Sequence, residues 1–301
     1  MEKNRSVVLS FSCAVLCISL CACNLWEWDL KAKYEEEKDW SLPAAGVELI
    51  DMVTTNGAII VSSTDAAEIN IHAVKTIQAK TEEKAKEYAR EVVLRVEQDG
   101  EVLKVFHEHP SGWKQVQVGV SYTLSCPPQI EAKLKSTNGK ITIDGLQRAL
   151  DALTTNGSIH VNGGRGEIQM RTTNGSVDIT DSSGRIHAST TNGKITAKQI
   201  GLSERADFST TNGGVDVDVE NGAASITASS TNGSITLTLP EQFSGQLDAS
   251  VSNGRITSDF GSPGESSPKK SLRGAIGEGG ENQIFLTTTN GNISIKKRAL
   301  N

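Results

Sequence analysis

His107-Glu108-His109 places two imidazoles two residues apart. In a strand such residues share a face, so the pair offers the minimum of a metal site. No third ligand is evident, and a solvated strand end is the simpler reading. Asp178 and Asp216 occupy one position of a repeated pattern, two repeats apart. Strand spacing alone would separate them by about 10 Å, beyond the usual reach of paired glycosidase carboxylates. Gly163-Gly164-Arg165-Gly166-Glu167 lacks the Asp of calcium-binding Gly-Gly-x-Gly-x-Asp rolls and occurs once. No nucleotide loop or nucleophile elbow is present. These residues assign no catalytic group, cofactor or metal, and the sequence reads as a non-enzyme.

A different side chain dominates by repetition. Thr-Thr-Asn-Gly, or a near copy, recurs with its asparagines at Asn56, Asn138, Asn156, Asn174, Asn192, Asn212, Asn232, Asn253 and Asn290. The step is 18 residues from Asn138 to Asn192, then 20, 20 and 21. A near-constant short period marks an array whose units cannot bury their apolar faces alone. Amides repeated at one corner can stack as a hydrogen-bonded ladder. We therefore expect a structural ladder of Asn138, Asn156, Asn174, Asn192, Asn212, Asn232, Asn253 and Asn290, with Asn290 as its terminal rung. The competing expectation is an exposed binding row, for sugars among other ligands.

The elements that must position this row follow from the flanking residues. Three after each Asn comes a β-branched apolar residue, from Ile59 and Ile141 to Ile293, and two further on usually another, from Val61 to Ile295. The residue between is mostly polar, as in Thr142, Asp178, Thr196 and Asp216. Apolar residues also lie four and six before most of the asparagines. This period-two alternation predicts two half-buried strands per repeat, joined at Thr-Asn-Gly. Asn-Gly alone suggests a type I′ hairpin. Identical register in every repeat instead favours parallel stacking, with Gly supplying a positive φ at the corner. The fold class is thus all-β: a parallel β-helix, or β-solenoid, with coils of about 18–21 residues, preceded by an N-terminal β region carrying one helix. An aromatic content of 4% suits a thin interior. His160 and His187 fall on outward positions.

Lys3 and Arg5 precede an apolar stretch, Val7 to Ala22, too short for a comfortable membrane span. It ends in Leu20-Cys21-Ala22-Cys23, which matches the bacterial lipoprotein signal. The resemblance implies lipidation of Cys23 and cleavage before it. The alternative is an ordinary secretory signal. Cys13, Cys17 and Cys21 would leave with the signal, so Cys126 alone stays free, as a small buried hydrophobe. Trp26 and Trp28 could sit at the membrane interface. Residue 24 is Asn, not the Asp that favours inner-membrane retention, so the outer membrane is favoured where the organism has one.

The domain plan is a signal peptide over 1–22, a tether over 23–42, an N-terminal region of the β domain over 43–130, and solenoid repeats over 131–297. Within the N-terminal region of the β domain, Thr81 can cap a helix that starts with Glu82 and Glu83 and shares Ala85, Tyr88, Ala89 and Val92 on one face. A hairpin over 94–106 and a strand over 116–124 follow. Gly261 to Gly280 reads as a mobile loop. A net charge of −6 without a basic patch argues against a nucleic-acid partner.

Tyr122-x-Leu-x-Cys-Pro, the serial Thr-Asn-Gly-x-Ile repeats, and Gly274-x-Ile-Gly-x-Gly-Gly280 before Ile284-x-Leu-x-Thr-x-Asn-Gly291 resemble a bacterial domain-of-unknown-function family described as "putative adhesin" with β-strand repeats. The resemblance covers residues 45 to 296. It implies a β-helical envelope protein and carries over no catalytic residue. The expected function is a lipid-anchored envelope scaffold whose partner is an envelope protein or a glycan. A structural or stress-associated envelope protein without a ligand, and a β-helix carbohydrate-active enzyme, are the alternatives.

Overall fold

The computed structural model describes residues 4–7, 32–222, 225–260 and 270–298. Alternating residues fold them into strands stacked as a β-solenoid, with one helix among the described residues. The N-terminal elements are β1 (Asn4–Val7), β2 (Ala32–Pro43), β3 (Leu49–Thr54), β4 (Ile59–Ser63), β5 (Glu68–Ala79), α1 (Glu82–Glu91), β6 (Val93–Asp99), β7 (Val102–Glu108) and β8 (Gln117–Cys126). From residue 131 each coil, named here by its asparagine, sends one strand up to the Asn-Gly corner and one away.

Coil-to-coil pairing is parallel and in register. Ile59, Ile141, Ile159, Val177, Ile195, Val215, Ile235, Ile293 and Ile256 form one row across successive coils. All of them are buried. This is the period-two signal turned into a wall of β-branched side chains. Burying each one contributes on the order of 1.5–3 kcal/mol. The opposing strands line the other wall with Leu134, Ala152, Met170, Ala188, Phe208, Ala228, Leu286 and Ala249. Small residues alternate with large ones there, so two sheets close on a dry, narrow core.

Several expectations need correction. Residues 32–42, the second half of the expected tether, lie in β2, which pairs antiparallel with β5 over its full length. Its charged run, Glu35-Glu36-Glu37-Lys38, is the stretch that β1 pairs antiparallel. Part of the expected mobile loop, Ser271–Ile276, is a strand antiparallel to Gly245–Asn253. Residues 261–269 lie outside the described residues, and 277–280 leave the strand through a turn.

Coil order in space also departs from coil order in sequence, at both ends. The Asn56 coil, β3 and β4, sits between the later β7 and β8 and the Asn138 coil. The Asn290 coil sits between the Asn232 and Asn253 coils. Local pattern fixes which face a strand buries, but it is silent on which coil becomes whose neighbour.

Helix α1 covers the N-terminal part of the core. Thr81 caps it by accepting a hydrogen bond from the Lys84 amide, and Ala85 and Ala89 are its buried residues. Lys75, buried beneath it, donates from Nζ to the carbonyls of Ala89 at 2.7 Å and Val92 at 3.2 Å. These are carbonyls of the helix C-terminal end, where a cation is favoured. Glu36 pairs with the same ammonium at 3.0 Å, so the buried charge is compensated.

Candidate functional site: the asparagine corner

The Asn-Gly corners stack into a single row. Asn138 donates from Nδ2 to Asn56 Oδ1, and the same bond repeats from Asn156 through Asn232, at 2.6 to 2.9 Å. The row then passes through Asn290 to Asn253. Every amide donates toward Asn56, whose own Nδ2 donates to the Val118 carbonyl at 2.9 Å. Aligned amides polarise one another. Asn290 therefore has a neighbour on each side, and Asn253 is the terminal rung, contrary to the sequence expectation. The amides of the coils from Asn138 onward are also exposed.

A second row, which sequence reasoning missed, lies just beneath. Two residues before each Asn stands a buried Thr or Ser, except at Val251. Thr54 donates to the Val120 carbonyl at 2.7 Å. Ser136, Thr154, Thr172, Thr190, Thr210, Ser230 and Thr288 each donate to the carbonyl of the neighbouring coil's glycine, at 2.8 to 3.1 Å. The legible signal was the near-invariant Thr or Ser at that position. A buried carbonyl left without its donor would cost about 1–3 kcal/mol.

The corner glycines serve close approach, not backbone handedness. A Cβ at Gly157 would lie 2.0 Å from the Gly139 carbonyl oxygen, and one at Gly175 would lie 2.0 Å from that of Gly157. Positive φ belongs to the opposite corner. There Gly145, Gly163, Asp181 and Gln199, each seven residues past its Asn, take φ of 78°, 68°, 49° and 54°. Two of these four positions are not glycine, which is why the sequence hid that corner.

The remaining candidates are dispersed. Asp178 and Asp216 lie in one outward row with Thr196 between them. Asp178 meets His160 Nδ1 at 3.3 Å and accepts from Ser176 at 2.9 Å, while Lys194 holds Asp216 at 3.1 Å. Burial, then the Lys140 charge, lowers the His160 pKa against the pull of Asp178. His107 and His109 stack with ring centroids 6.0 Å apart, and His109 stacks on Trp113 at 5.4 Å. Burial, then the charge of His109, pushes His107 down to about 4. Among the described residues no three His, Cys, Asp or Glu side chains gather around one point. Burial raises the Cys126 thiol to about 12, so it packs as a neutral side chain. His187 stays on the outward face, opposite Asp207. Cys23, the expected lipidation site, lies outside the described residues.

Residues 131–296 match the family model described as Toastrack DUF4097. No curated protein matches the chain. Among solved structures, a "putative adhesin" from Parabacteroides merdae is 13% identical, covering 87% of this chain and 96% of its own at a TM-score of 0.42. A "putative adhesin" from Bacteroides fragilis is 12% identical, covering 87% and 97% at 0.41. A "putative lipid binding protein" from Parabacteroides distasonis is 13% identical, covering 87% and 97% at 0.36. At such identities and TM-scores these likenesses bear on neither ligand nor activity.

Proposed function

The chain belongs to the Toastrack DUF4097 family, and on that premise we propose that it is a non-enzymatic β-solenoid of the cell envelope, anchored by lipid at Cys23, that acts as a surface-interaction scaffold. The observation that carries this reading is the double tie at every corner but that of Asn253: an exposed amide rung above a buried hydroxyl rung. Two side-chain bonds in each of these coils, added to full backbone pairing, make a stiff rod whose outward rows repeat about every 4.8 Å. A rigid, periodic polar surface suits multivalent contact with an envelope protein or a glycan, in which many weak contacts act together. Adhesin is the name carried by the Parabacteroides merdae and Bacteroides fragilis proteins; the proposal extends it to this chain on the strength of its own surface.

The anchor rests on Leu20-Cys21-Ala22-Cys23. Cleavage before Cys23 would remove β1 and leave β2 as the sheet edge, already guarded by its charged run. The outer membrane is the favoured location where the organism has one. A purely structural envelope protein is the second reading, favoured by one feature: the ladder amides satisfy each other within the row.

Fractionation of cells expressing wild type and Cys23→Ser tests the anchor, and protease treatment of intact cells tests surface display. The proposal expects wild type in the membrane fraction and cleaved at the surface, and Cys23→Ser released or left as an uncleaved precursor. A Cys23→Ser protein that fractionates and migrates like wild type overturns the lipid anchor.

A further inference from the structure

The ladder ends at Asn56 beside a cleft of about 290 Å³. Asn56, Asn138, Gln78, Gln117, Thr76 and Ser121 line it, and none carries a charge. Further along β8 lies a second cleft of about 370 Å³, lined by Asn70, Ser41, Thr123, Ser125, Asp39 and His72. In the second cleft Asp39 and His72 are bound to each other at 2.7 Å. Both clefts share one floor, the outward face of β8, where Gly119, Ser121, Thr123 and Ser125 are all small. Larger outward side chains on β5 form one wall, since Gln78, Thr76, His72 and Asn70 stand opposite Gln117, Gly119, Thr123 and Ser125. The trough from Gln117 to Ser125 is about 26 Å long at 3.3 Å per residue.

The chemistry of this trough is selective. Strand β8 is paired on both edges, parallel to β4 and antiparallel to β5. Its backbone groups are already committed, so an extended peptide cannot dock by adding a strand. Recognition must come from side chains, and apart from the Asp39–His72 pair and Trp40 of the second cleft those on offer are amides and hydroxyls that donate and accept alike. Two pairs of charged groups along the flank are internally neutralised, Lys33 with Glu35 at 2.7 Å and Asp39 with His72, while Glu37 between them, opposite Val74, leaves a carboxylate that disfavours an acidic ligand. Ile60 is 42% exposed and stands opposite Thr123 at the far wall. It offers an apolar contact of the kind the C–H face of a sugar ring can use.

We infer that the β8 trough binds a linear, uncharged oligosaccharide. The inference rests on the surface-interaction reading for the class of partner and deepens it by naming the site. The ligand lies along β8, with its hydroxyls on the Asn and Gln side chains of the first cleft and on Asn70 and the hydroxyls of the second.

Isothermal titration of the full chain in detergent, with cellulose-, chitin- and starch-derived oligosaccharides of increasing length, tests it. Saturable binding to at least one neutral series is expected, with affinity rising with length until the trough is filled. The double variant Gln78→Ala/Gln117→Ala should weaken it about tenfold or more, with an unchanged thermal melt. Thr236→Ala, on the same outer face but distant in the stack, should bind as wild type. No binding to any neutral series overturns the inference, as do equal affinities for wild type and the double variant. Preference for an acidic oligosaccharide or for an unstructured peptide overturns it as well. Each of these outcomes leaves the anchor and surface display untouched, since those are read by fractionation and proteolysis.

Discussion

Asn290 donates from Nδ2 to Asn232 Oδ1 at 2.8 Å, across 58 residues of chain. Asn253, which lies between them in sequence, instead donates to Asn290 at 2.9 Å. The last coil in sequence is thus next to last in space, inserted between two coils already passed by the chain. Among the described residues, the outermost coil, Asn253, has its parallel partners only in that inserted segment.

The ladder order sets the cost of losing each amide. Asn192→Ala and Asn290→Ala each remove a rung with two neighbours, and each should lower stability by about 1 kcal/mol. The exposure of these amides keeps the figure that low. Asn253→Ala removes a terminal rung and should cost about half as much. Denaturant unfolding of the three variants checks this. Asn290→Ala behaving as the mildest of the three would place it at the end of the stack after all.

Two glycine substitutions separate close approach from backbone handedness. Gly163 has φ of 68° and, for an added Cβ, nothing nearer than 3.5 Å. Gly163→Ala should cost about 1–2 kcal/mol of backbone strain. Gly157→Ala drives a methyl into the Gly139 carbonyl and should cost at least about 3 kcal/mol, the upper range for overpacking. Equal melting temperatures for the two would mean that the coils can spread at the corner.

Inward and outward neighbours should differ sharply. Ile195 is fully buried, so Ile195→Asp places an unpaired charge in the core and should prevent stable folding. Thr196→Asn, on the outer face, should stay within about 0.5 kcal/mol. Asn is the better probe there, because Asp would stand in register between Asp178 and Asp216 and be repelled by both. Circular-dichroism melts decide; similar damage from both changes would shift the register by one residue.

His107 gives a pH dependence. Its folded pKa is depressed to about 4 from an ordinary 6.5. Between those values the unfolded chain binds a proton that the folded one refuses, so acid favours unfolding. The contribution is complete above about pH 6.5 and is lost progressively as pH falls toward 4. His107→Phe should therefore show a shallower fall in stability over that window. Parallel stability-versus-pH curves for wild type and variant would refute the burial argument.

The inward rows were legible because alternation needs only neighbours along the chain. Ile141, Ile159 and Ile195 show their buried face from spacing alone, and α1 shows itself by Thr81, Glu82 and its alanine face. The amide row was legible as a row for the same reason. Its surface exposure was not, because strand spacing does not say how far a corner side chain projects. The hydroxyls of Thr154 and Thr172 were visible as a constant residue type, but their acceptors are carbonyls of another coil. Such a bond exists only once coils stack.

The sequence by itself determined the repeat, the parallel in-register stacking, the narrow apolar interior and the helix. All of these follow from local spacing and side-chain shape. Only the tertiary structure decided that Asn290 lies between Asn232 and Asn253, and that β3 and β4 lie between β7–β8 and the Asn138 coil. It also set positive φ at Gln199 and Asp181 rather than at the Asn-Gly corner, and made the outward face of β8 a trough. The coils carry nearly interchangeable patterns, so any could pair with any other. Chain length, loop reach and the closure of the two ends choose among them, and none of these is written in the period.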